Sequence, residues 1–163
     1  VTEHLIERGA KRIVHIAGPT NNRDASERER GFRDALKDGL GIADPLILPG
    51  DFREDAGRDA ARHLIASGTP FDAIFAASDL IAIGAMRALA EAGRKVPGDI
   101  AVVGFDDIPA ASLTTPPLTT VMQDIRGAGQ ALVETLLAQI EGRDLPPRKL
   151  PGTLVVRRSS GAA

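Results

Sequence analysis

The sequence predicts an α/β fold in which an open, mostly parallel sheet carries helices on both faces. Short strands alternate with amphipathic helices along the chain, which is typical of right-handed strand–helix–strand units. The strands are continuous apolar runs, as expected where helices cover both faces of a parallel sheet. The chain has 25 alanines, no tryptophan and no tyrosine among its 163 residues. Small side chains let helices lie close to a sheet, so the composition favours tightly packed layers.

Six segments have the length, the β-branched residues and the flanking breakers of short strands. The first ends at Gly18-Pro19 and the second at Pro49-Gly50, which are strong turn-forming pairs. The third is followed by a helix-capping pair, Ser78-Asp79. In chain order, the predicted strands are residues 12–17, 46–48, 73–77, 100–104, 118–121 and 153–158.

Four helices are predicted between these strands. In the first, residues 24–38, Asp24 is the expected N-cap, and Arg28, Phe32 and Leu36 fall on one face at helical spacing. A glycine follows each of the first three helices, which is a typical stop signal. The other helices are predicted at residues 55–67, 80–92 and 125–141. Residues 105–117 and the proline-rich segment 143–151 are expected to be irregular, and residues 159–163 to be a frayed tail.

Charge and composition exclude several classes of protein. The net charge is −2 and no basic cluster is larger than Arg157-Arg158, so the chain lacks the charge pattern of nucleic-acid binding. No cysteine is present, which excludes disulfides, thiolate catalysis and sulfur-held metals. Apolar runs are far shorter than the ~18 residues of a membrane span. We therefore expect a soluble chain with no membrane partner.

Ligands of open parallel sheets bind at the carboxyl ends of the strands. The residues after these ends include the amides of Asn21 and Asn22, the aromatic Phe52 and the pair Asp106-Asp107. Arg28 shares a helix face with core residues, so its guanidinium is expected to point along this edge of the sheet. A carboxylate at an apolar strand end must be paired or hydrogen-bonded. Of the two aspartates, Asp106 is the one that we assign to binding.

Three of these positions also allow a purely structural interpretation. Phe52 is an aromatic in a charged loop, and it is equally compatible with a plug over the core and with a stacking surface for a ligand ring. Asp79 opens a helix, where a carboxylate caps free backbone N–H groups, so we expect capping and not ligand contact. Arg28 has the alternative of a solvated or salt-bridged surface arginine.

No sequence motif for dinucleotides, P-loop phosphates, hydrolase serines or zinc proteases is present. His4, His15 and His63 share no spacing and are expected to be ordinary core or surface histidines. The sequence therefore predicts no metal site, no cofactor and no catalytic nucleophile. An arginine, carboxylates, amides and an aromatic at one edge suit a small polar or polyhydroxylated ligand held by hydrogen bonds and ring stacking.

Six short motifs occur in one order over nearly the whole chain. They are IAGP at 16–19, Arg28 with Gly31-Phe32, GDF at 50–52, SD-x-x-A-x-GA at 78–85, VVGFDD at 102–107 and PLTTV at 117–121. As a set they resemble the effector-binding region of the lactose-repressor and galactose-repressor (LacI/GalR) family of bacterial transcription regulators. The resemblance implies a two-lobed, periplasmic-binding-protein-like fold. In that fold a small effector, with a sugar as the leading candidate, binds in the cleft and controls DNA binding by a dimer.

The resemblance also implies roles for particular residues. Effector contacts are expected at Arg28, Phe52, Ser78, Asp106 and Gln123. Ser78 departs from the asparagine often found at its position, and Ile125 departs from an aromatic seen in some members, so the effector is not named by these motifs. A homodimer interface is expected on the helix at 80–92, at Ile83, Met86 and Arg87.

By the same resemblance, the chain corresponds to one lobe of the two. Residues 1–117 are expected to form the C-terminal effector-binding lobe. Residues 118–142 would be a crossover strand and helix of the first lobe, and 143–163 a return linker and the last strand of the C-terminal lobe. The helix-turn-helix, the hinge helix and most of the first lobe are expected before Val1. Operator DNA would then be bound only through a part outside this chain, in a cytoplasmic protein that is not an enzyme.

Two other functions fit the predicted fold. A solute-binding protein for sugar uptake would share it, and a secretory signal upstream would favour that interpretation. A flavodoxin-like phosphotransfer domain could hold Mg²⁺ at Asp106 and Asp107. It needs a third acidic residue and a lysine at that edge, and the sequence places neither there.

The last predicted helix has a broad apolar stripe. The stripe consists of Ile125, Ala128, Leu132, Val133, Leu136, Leu137 and Ile140. Burying such side chains is worth roughly 1.5 to 3 kcal/mol each, and the lobe that the resemblance places against them is mostly outside this chain. We expect the helix either to fold back onto the sheet or to pack against a second copy.

Overall fold

The computed structural model describes residues 1–161. Six strands and six α-helices occur in this part of the chain, with a 3₁₀ turn at Arg158–Ser160. The strands are β1 (Ile13–Ile16), β2 (Ile47–Leu48), β3 (Ala73–Ala76), β4 (Ala101–Val103), β5 (Thr120–Met122) and β6 (Thr153–Val155). The helices are α1 (Thr2–Glu7), α2 (Arg23–Leu40), α3 (Glu54–Ala66), α4 (Asp79–Glu91), α5 (Pro109–Leu113) and α6 (Ile125–Ile140).

Four of the strands form a parallel sheet in the order β2-β1-β3-β4. His15 of β1 lies between Ile47 of β2 and Phe75 of β3, and Phe75 in turn lies beside Val103 of β4. β1 and β3 are buried along their whole length. Their continuous apolar sequences are explained because helices cover both faces of the sheet. The predicted α/β class and mostly parallel sheet are confirmed.

The two faces of the sheet are covered by different pairs of helices. α1 and α2 lie on one face, where Phe32 and Leu36 of α2 pack with Leu5 and Phe75. α3 and α4 lie on the other, in a cluster that contains Ile81 and Leu89 together with many alanines. The predicted face of α2 therefore meets the sheet, and this places Arg28, one turn before Phe32, at the end of the sheet.

α3 and α4 pack closely because each has a glycine at their contact. A Cβ atom at Gly57 would overlap the main chain of Ile81, and one at Gly84 would overlap the main chain of Glu54. Alanines such as Ala61 of α3 add little bulk to the same cluster. The small side chains of the alanine-rich sequence therefore allow α3 and α4 to pack closely.

The N-cap of α2 differs from the prediction, and the N-cap of α4 is one of the two residues predicted for it. Asn22, and not Asp24, caps α2, because its Oδ1 accepts a hydrogen bond from the Ala25 N–H at 2.9 Å. At α4 the cap is Ser78, whose Oγ accepts from the Ile81 N–H at 3.3 Å. The expected capping role of Asp79 is wrong, because Ser78 already holds the extended backbone of an N-cap and Asp79 lies inside the first turn.

A two-stranded antiparallel sheet lies beside the four-stranded one. In it β5 pairs with β6, with Val121 beside Leu154. Single bridges from Val103 to Thr119 and from Asp106 to Met122 join β5 to the end of β4. The last strand is shorter than predicted, and it pairs with β5 and not with the four-stranded sheet. The division of residues 118–163 between two lobes stays a prediction.

Two segments that were expected to be irregular contain ordered structure. Pro109–Leu113 forms the short helix α5. Ser159 and Ser160, in the expected frayed tail, are buried, and the Ser159 hydroxyl donates to the Val102 carbonyl at 2.6 Å. This bond fixes the end of the chain against β4. Residues 162 and 163 of the same tail lie outside the described residues.

The apolar stripe of α6 is not covered by the rest of the chain. Leu132, Val133, Leu136, Leu137 and Ile140 are between 53% and 74% exposed. Of the two expected alternatives, the fold-back onto the sheet is not observed, because α1 to α4 already occupy both faces of the sheet. Packing of α6 against a second copy stays a prediction. Neither α6 nor any other helix of residues 1–161 is long and apolar enough to cross a membrane.

Candidate functional site

A pocket of about 280 Å³ lies at the carboxyl ends of the parallel strands. Its walls come from the start of α2, the loop after β2, the start of α4 and the loop after β4. The lining residues are Asn22, Asp24, Arg28, Phe52, Ser78, Leu80, Asp106 and Ile108. The structure therefore brings together four of the five residues expected to contact an effector. The fifth, Gln123, contacts Asp106.

The Arg28 side chain points inward, as the helix-face pattern predicts, and is only 13% exposed. Its Nη1 donates a hydrogen bond to the Ala77 carbonyl at 2.6 Å, and its Nη2 lies 3.7 Å from Oδ1 of Asp106. The guanidinium carbon is 3.9 Å from the centre of the Phe105 ring. Burial lowers the pKa of Arg28, and the nearby Asp106 carboxylate opposes this effect. A solvated surface arginine does not fit these contacts, whereas the salt-bridged alternative is met by the ion pair with Asp106.

The Asp106 carboxylate accepts a hydrogen bond from Gln123 and forms an ion pair with Arg28. Nε2 of Gln123 donates to its Oδ1 at 2.6 Å, and Arg28 approaches the same oxygen. Partial burial raises the pKa of Asp106, while Arg28 and then Gln123 lower it. The backbone of Asp106 has φ of 116°, which is unusual for a residue other than glycine. The expected association of Arg28, Asp106 and Gln123 in space is thus present.

Phe52 packs on the core, as one of its two interpretations predicted, and the stacking of a ligand ring on it stays a prediction. It packs against the core cluster on the α3–α4 side of the sheet, and it also lines the pocket. The centre of its ring is 5.7 Å from the Arg28 guanidinium carbon. The ring fits because Gly18 has no side chain: a Cβ there would lie 2.5 Å from Cε1 of Phe52.

Ser78 and Asp79 make different hydrogen bonds at the start of α4. Ser78 lines the pocket, and its hydroxyl is engaged as the N-cap of α4. The buried Asp79 carboxylate accepts hydrogen bonds from the Ile108 N–H at 2.9 Å and from the Thr120 hydroxyl at 2.5 Å. Burial raises the pKa of Asp79 to about 6, although both hydrogen bonds oppose the shift. Asp79 therefore ties the loop after β4 to β5.

Several contacts of the site were missed at the sequence level. Phe105 was part of the motif at 102–107, but its contact with the Arg28 guanidinium was not anticipated. Thr120 and Arg157 were not assigned to the site, yet Arg157 donates to Asp107 at 2.7 Å. The carboxylate that Arg157 reaches is 50 residues away in the chain. Local sequence patterns carry no signal for such a pairing.

The residues around the pocket are of the kinds that bind a small polar ligand. Its charged groups are Arg28, Asp24 and Asp106, and no histidine lines it. His15 lies in the core between the rings of Phe32 and Phe75, where burial lowers its pKa to about 4. Among residues 1–161, no three acidic or histidine side chains are grouped to hold a metal ion. The lining residues offer hydrogen-bond donors, hydrogen-bond acceptors and aromatic surface to a ligand.

The residues expected at a dimer interface lie beside a second groove of about 350 Å³ between α4 and α5. Ile83 and Met86 line it but are only 8% and 7% exposed, so this chain already covers most of their surface. Arg87 is exposed and pairs with Glu54. Leu113 on the opposite wall is 81% exposed. The role of this face in a dimer stays a prediction, with Leu113 as its most accessible apolar residue.

Residues 2–160 match the periplasmic binding protein-like domain. The chain belongs to this family. The domain is 41% identical over 150 residues to the HTH-type transcriptional regulator CelR of Thermobifida fusca, which covers 91% of this chain and 44% of CelR. It is 38% identical over 162 residues to the ribose operon repressor of Escherichia coli K12, which covers 99% of this chain and 49% of the repressor. The domain spans about half the length of the curated relatives it matches.

Solved structures of similar sequence have the same fold as the domain. A lac repressor dimer bound to operator and the anti-inducer ONPF superposes with a TM-score of 0.92 and 36% identity, over 98% of this chain and 48% of that one. A complex of CelR with cellobiose gives a TM-score of 0.90 and 40% identity, over 97% of this chain and 49% of that one. The resemblance to the LacI family is confirmed. These relatives are transcription regulators, so neither a solute-binding protein nor a phosphotransfer domain is favoured.

Proposed function

We propose that this domain is the effector-sensing lobe of a LacI-family bacterial transcription regulator. One observation carries the proposal. The Arg28 guanidinium is held at the pocket wall by the Ala77 carbonyl, the Phe105 ring and the Asp106 carboxylate. Desolvation of a cation is costly, and these contacts offset that cost while keeping the group beside the pocket. The similarity in sequence and fold to known regulators supports the same assignment.

The proposed ligand is a neutral polyhydroxylated molecule, such as a sugar or sugar derivative. A hydroxyl group both donates and accepts, so a pair of hydroxyls can bond to Arg28 and Asp106 together. Phe52 and Leu80 add apolar surface on which a sugar ring can lie. The pocket has two carboxylates, Asp24 and Asp106, and one arginine. Because the carboxylates would repel an anion, these charges favour a neutral ligand. One similar regulator has been solved with cellobiose.

In the proposed regulator, ligand binding in this lobe controls DNA binding by a part of the protein outside this chain. The domain itself lacks a large basic patch, and a similar structure is a repressor dimer bound to operator. We infer a homodimer that uses the groove beside Ile83, Met86 and Arg87. The inferred protein acts in the cytoplasm, and this domain senses ligand without catalysis.

Titration calorimetry of the purified protein with a panel of neutral saccharides that includes cellobiose and ribose tests the proposal. We expect saturable heat with at least one member of the panel. A phosphorylated saccharide of the same ring size is the control and should bind more weakly, because it brings negative charge next to Asp106. Absence of saturable heat with every saccharide in the panel would contradict the assignment.

A further inference from the structure

The loop of residues 105–108 between β4 and α5 has an unusual backbone. Asp106 and Asp107 are consecutive, and their φ angles are 116° and 54°. Positive φ is disfavoured for residues with a Cβ, and such conformations persist only where surrounding contacts impose them. The conformation of Asp106 is therefore set by what holds this loop, and not by the preference of its own sequence.

Three backbone N–H groups hold the loop on one side. Asp106 donates to the Val121 carbonyl at 2.9 Å, Asp107 to the Thr120 hydroxyl at 3.3 Å, and Ile108 to the Asp79 carboxylate at 2.9 Å. Two of these three acceptors belong to β5. These hydrogen bonds therefore attach the loop to β5 and to the start of α4.

A side chain from the end of the chain holds the loop on the other side. Nη2 of Arg157 donates to Oδ1 of Asp107 at 2.7 Å, and Nη1 donates to the Leu118 carbonyl at 2.8 Å. The Arg157 main chain is itself fixed, because its N–H and its carbonyl both bond to the Thr119 hydroxyl. Both charged side chains of the pair are largely buried. An arginine that is largely buried and donates two hydrogen bonds forms strong, directional contacts.

We propose that Arg157 is a positioning residue for the effector site: by holding Asp107, it keeps the loop in the backbone conformation that presents the Asp106 carboxylate to Arg28 and Gln123. The role in ligand binding rests on the function proposed above. The residue that would touch the ligand is Asp106, and Arg157 acts through the neighbouring aspartate. Arg157 directly follows β6, so the segment after α6 contributes to the conformation of the pocket loop.

Nuclear magnetic resonance of the purified protein tests the positioning without any ligand. The side-chain amide of Gln123 reports on the position of Asp106, because its Nε2 donates to that carboxylate at 2.6 Å. In Arg157→Gln we expect this amide signal to shift towards that of a free glutamine. Amide hydrogen exchange at residues 106–108 should rise about tenfold or more as the loop loses a holding contact. Arg157→Lys, which keeps a cationic donor for Asp107, should restore most of both readouts.

Arg158→Gln is the matched control, because Arg158 is the adjacent arginine and is exposed. It should leave the Gln123 signal and the loop exchange at their wild-type values. The affinity for cellobiose and ribose, measured by calorimetry on the same variants, should fall about tenfold in Arg157→Gln only. A general loss of stability would instead raise exchange in β1 and β3 as well.

Two results would overturn the proposal. One is an unchanged Gln123 signal with unchanged exchange at residues 106–108 in Arg157→Gln. The other is a disturbed loop with unaltered saccharide affinity. If neither saccharide binds the wild-type protein, the sugar assignment fails on its own, and the Gln123 signal still decides whether Arg157 positions Asp106.

Discussion

The Thr120 hydroxyl donates a hydrogen bond to the Asp79 carboxylate across 2.5 Å, and this bond joins β5 to the start of α4. The second carboxylate oxygen accepts from the Ile108 N–H. Asp79 is fully buried, and burial raises its pKa to about 6. A single carboxyl group therefore links three segments around the candidate pocket, and its ionisation has a cost in the folded protein.

Asp79 should make the protein less stable as the pH rises from about 4 to about 6. Its pKa is higher in the folded than in the unfolded state, so the unfolded chain loses the proton first and unfolding becomes easier. A pKa shift of this size corresponds to a loss of about 3 kcal/mol in the free energy of unfolding over the whole range. Urea unfolding at a series of pH values should show Asp79→Asn gaining stability relative to the wild type through this range. A stability difference that does not change with pH would contradict the assignment.

The layered fold was predictable because its signals are local. Apolar runs that end in glycine and proline place β1 and β2, and an apolar run before a helix-capping pair places β3. The spacing of Arg28, Phe32 and Leu36 orients α2 correctly. The misjudged features depend on contacts between distant segments. The sequence around Asp79 does not indicate that its carboxylate accepts a hydrogen bond from Thr120. The sequence around Arg157 does not indicate that its side chain pairs with Asp107. The two alternatives for α6 could not be separated from the sequence, because a stripe of apolar residues does not specify which surface covers it.

Because α3 and α4 pack closely, adding one methyl group at their contact should strongly affect the stability of the protein. Gly57→Ala should destabilise the protein by about 1 to 3 kcal/mol, because the new Cβ meets the Ile81 main chain and the helices must separate. Gly31→Ala in α2 is the control. Gly31 is exposed and has nothing within 4 Å of its would-be Cβ, so alanine should stabilise by roughly 0.5 to 1 kcal/mol. Calorimetric unfolding checks both, and an equal effect of the two changes would contradict the packing argument.

The proposed homodimer is best tested at Leu113. Met86 is nearly buried, so a charge there would disturb the fold as well as an interface. Leu113 is 81% exposed on the wall of the α4–α5 groove, and Leu113→Glu should therefore shift the protein towards monomer while leaving its melting temperature unchanged. Sedimentation velocity measures the shift. Leu46→Glu, at an exposed leucine away from the groove, is the control, and a dimer that persists in Leu113→Glu would rule out this face.

The most direct test of the account is the affinity of Arg28→Ala for the saccharide that binds the wild-type protein, with cellobiose and ribose tried first. Removing the guanidinium takes away the donor beside Asp106, so titration calorimetry should show affinity reduced about tenfold or more. Arg30→Ala, on the exposed side of the same helix, should bind as the wild type does. Circular dichroism spectra that match the wild type would show that both variants are folded. Wild-type affinity in a folded Arg28→Ala variant would contradict the central claim that Arg28 anchors the ligand.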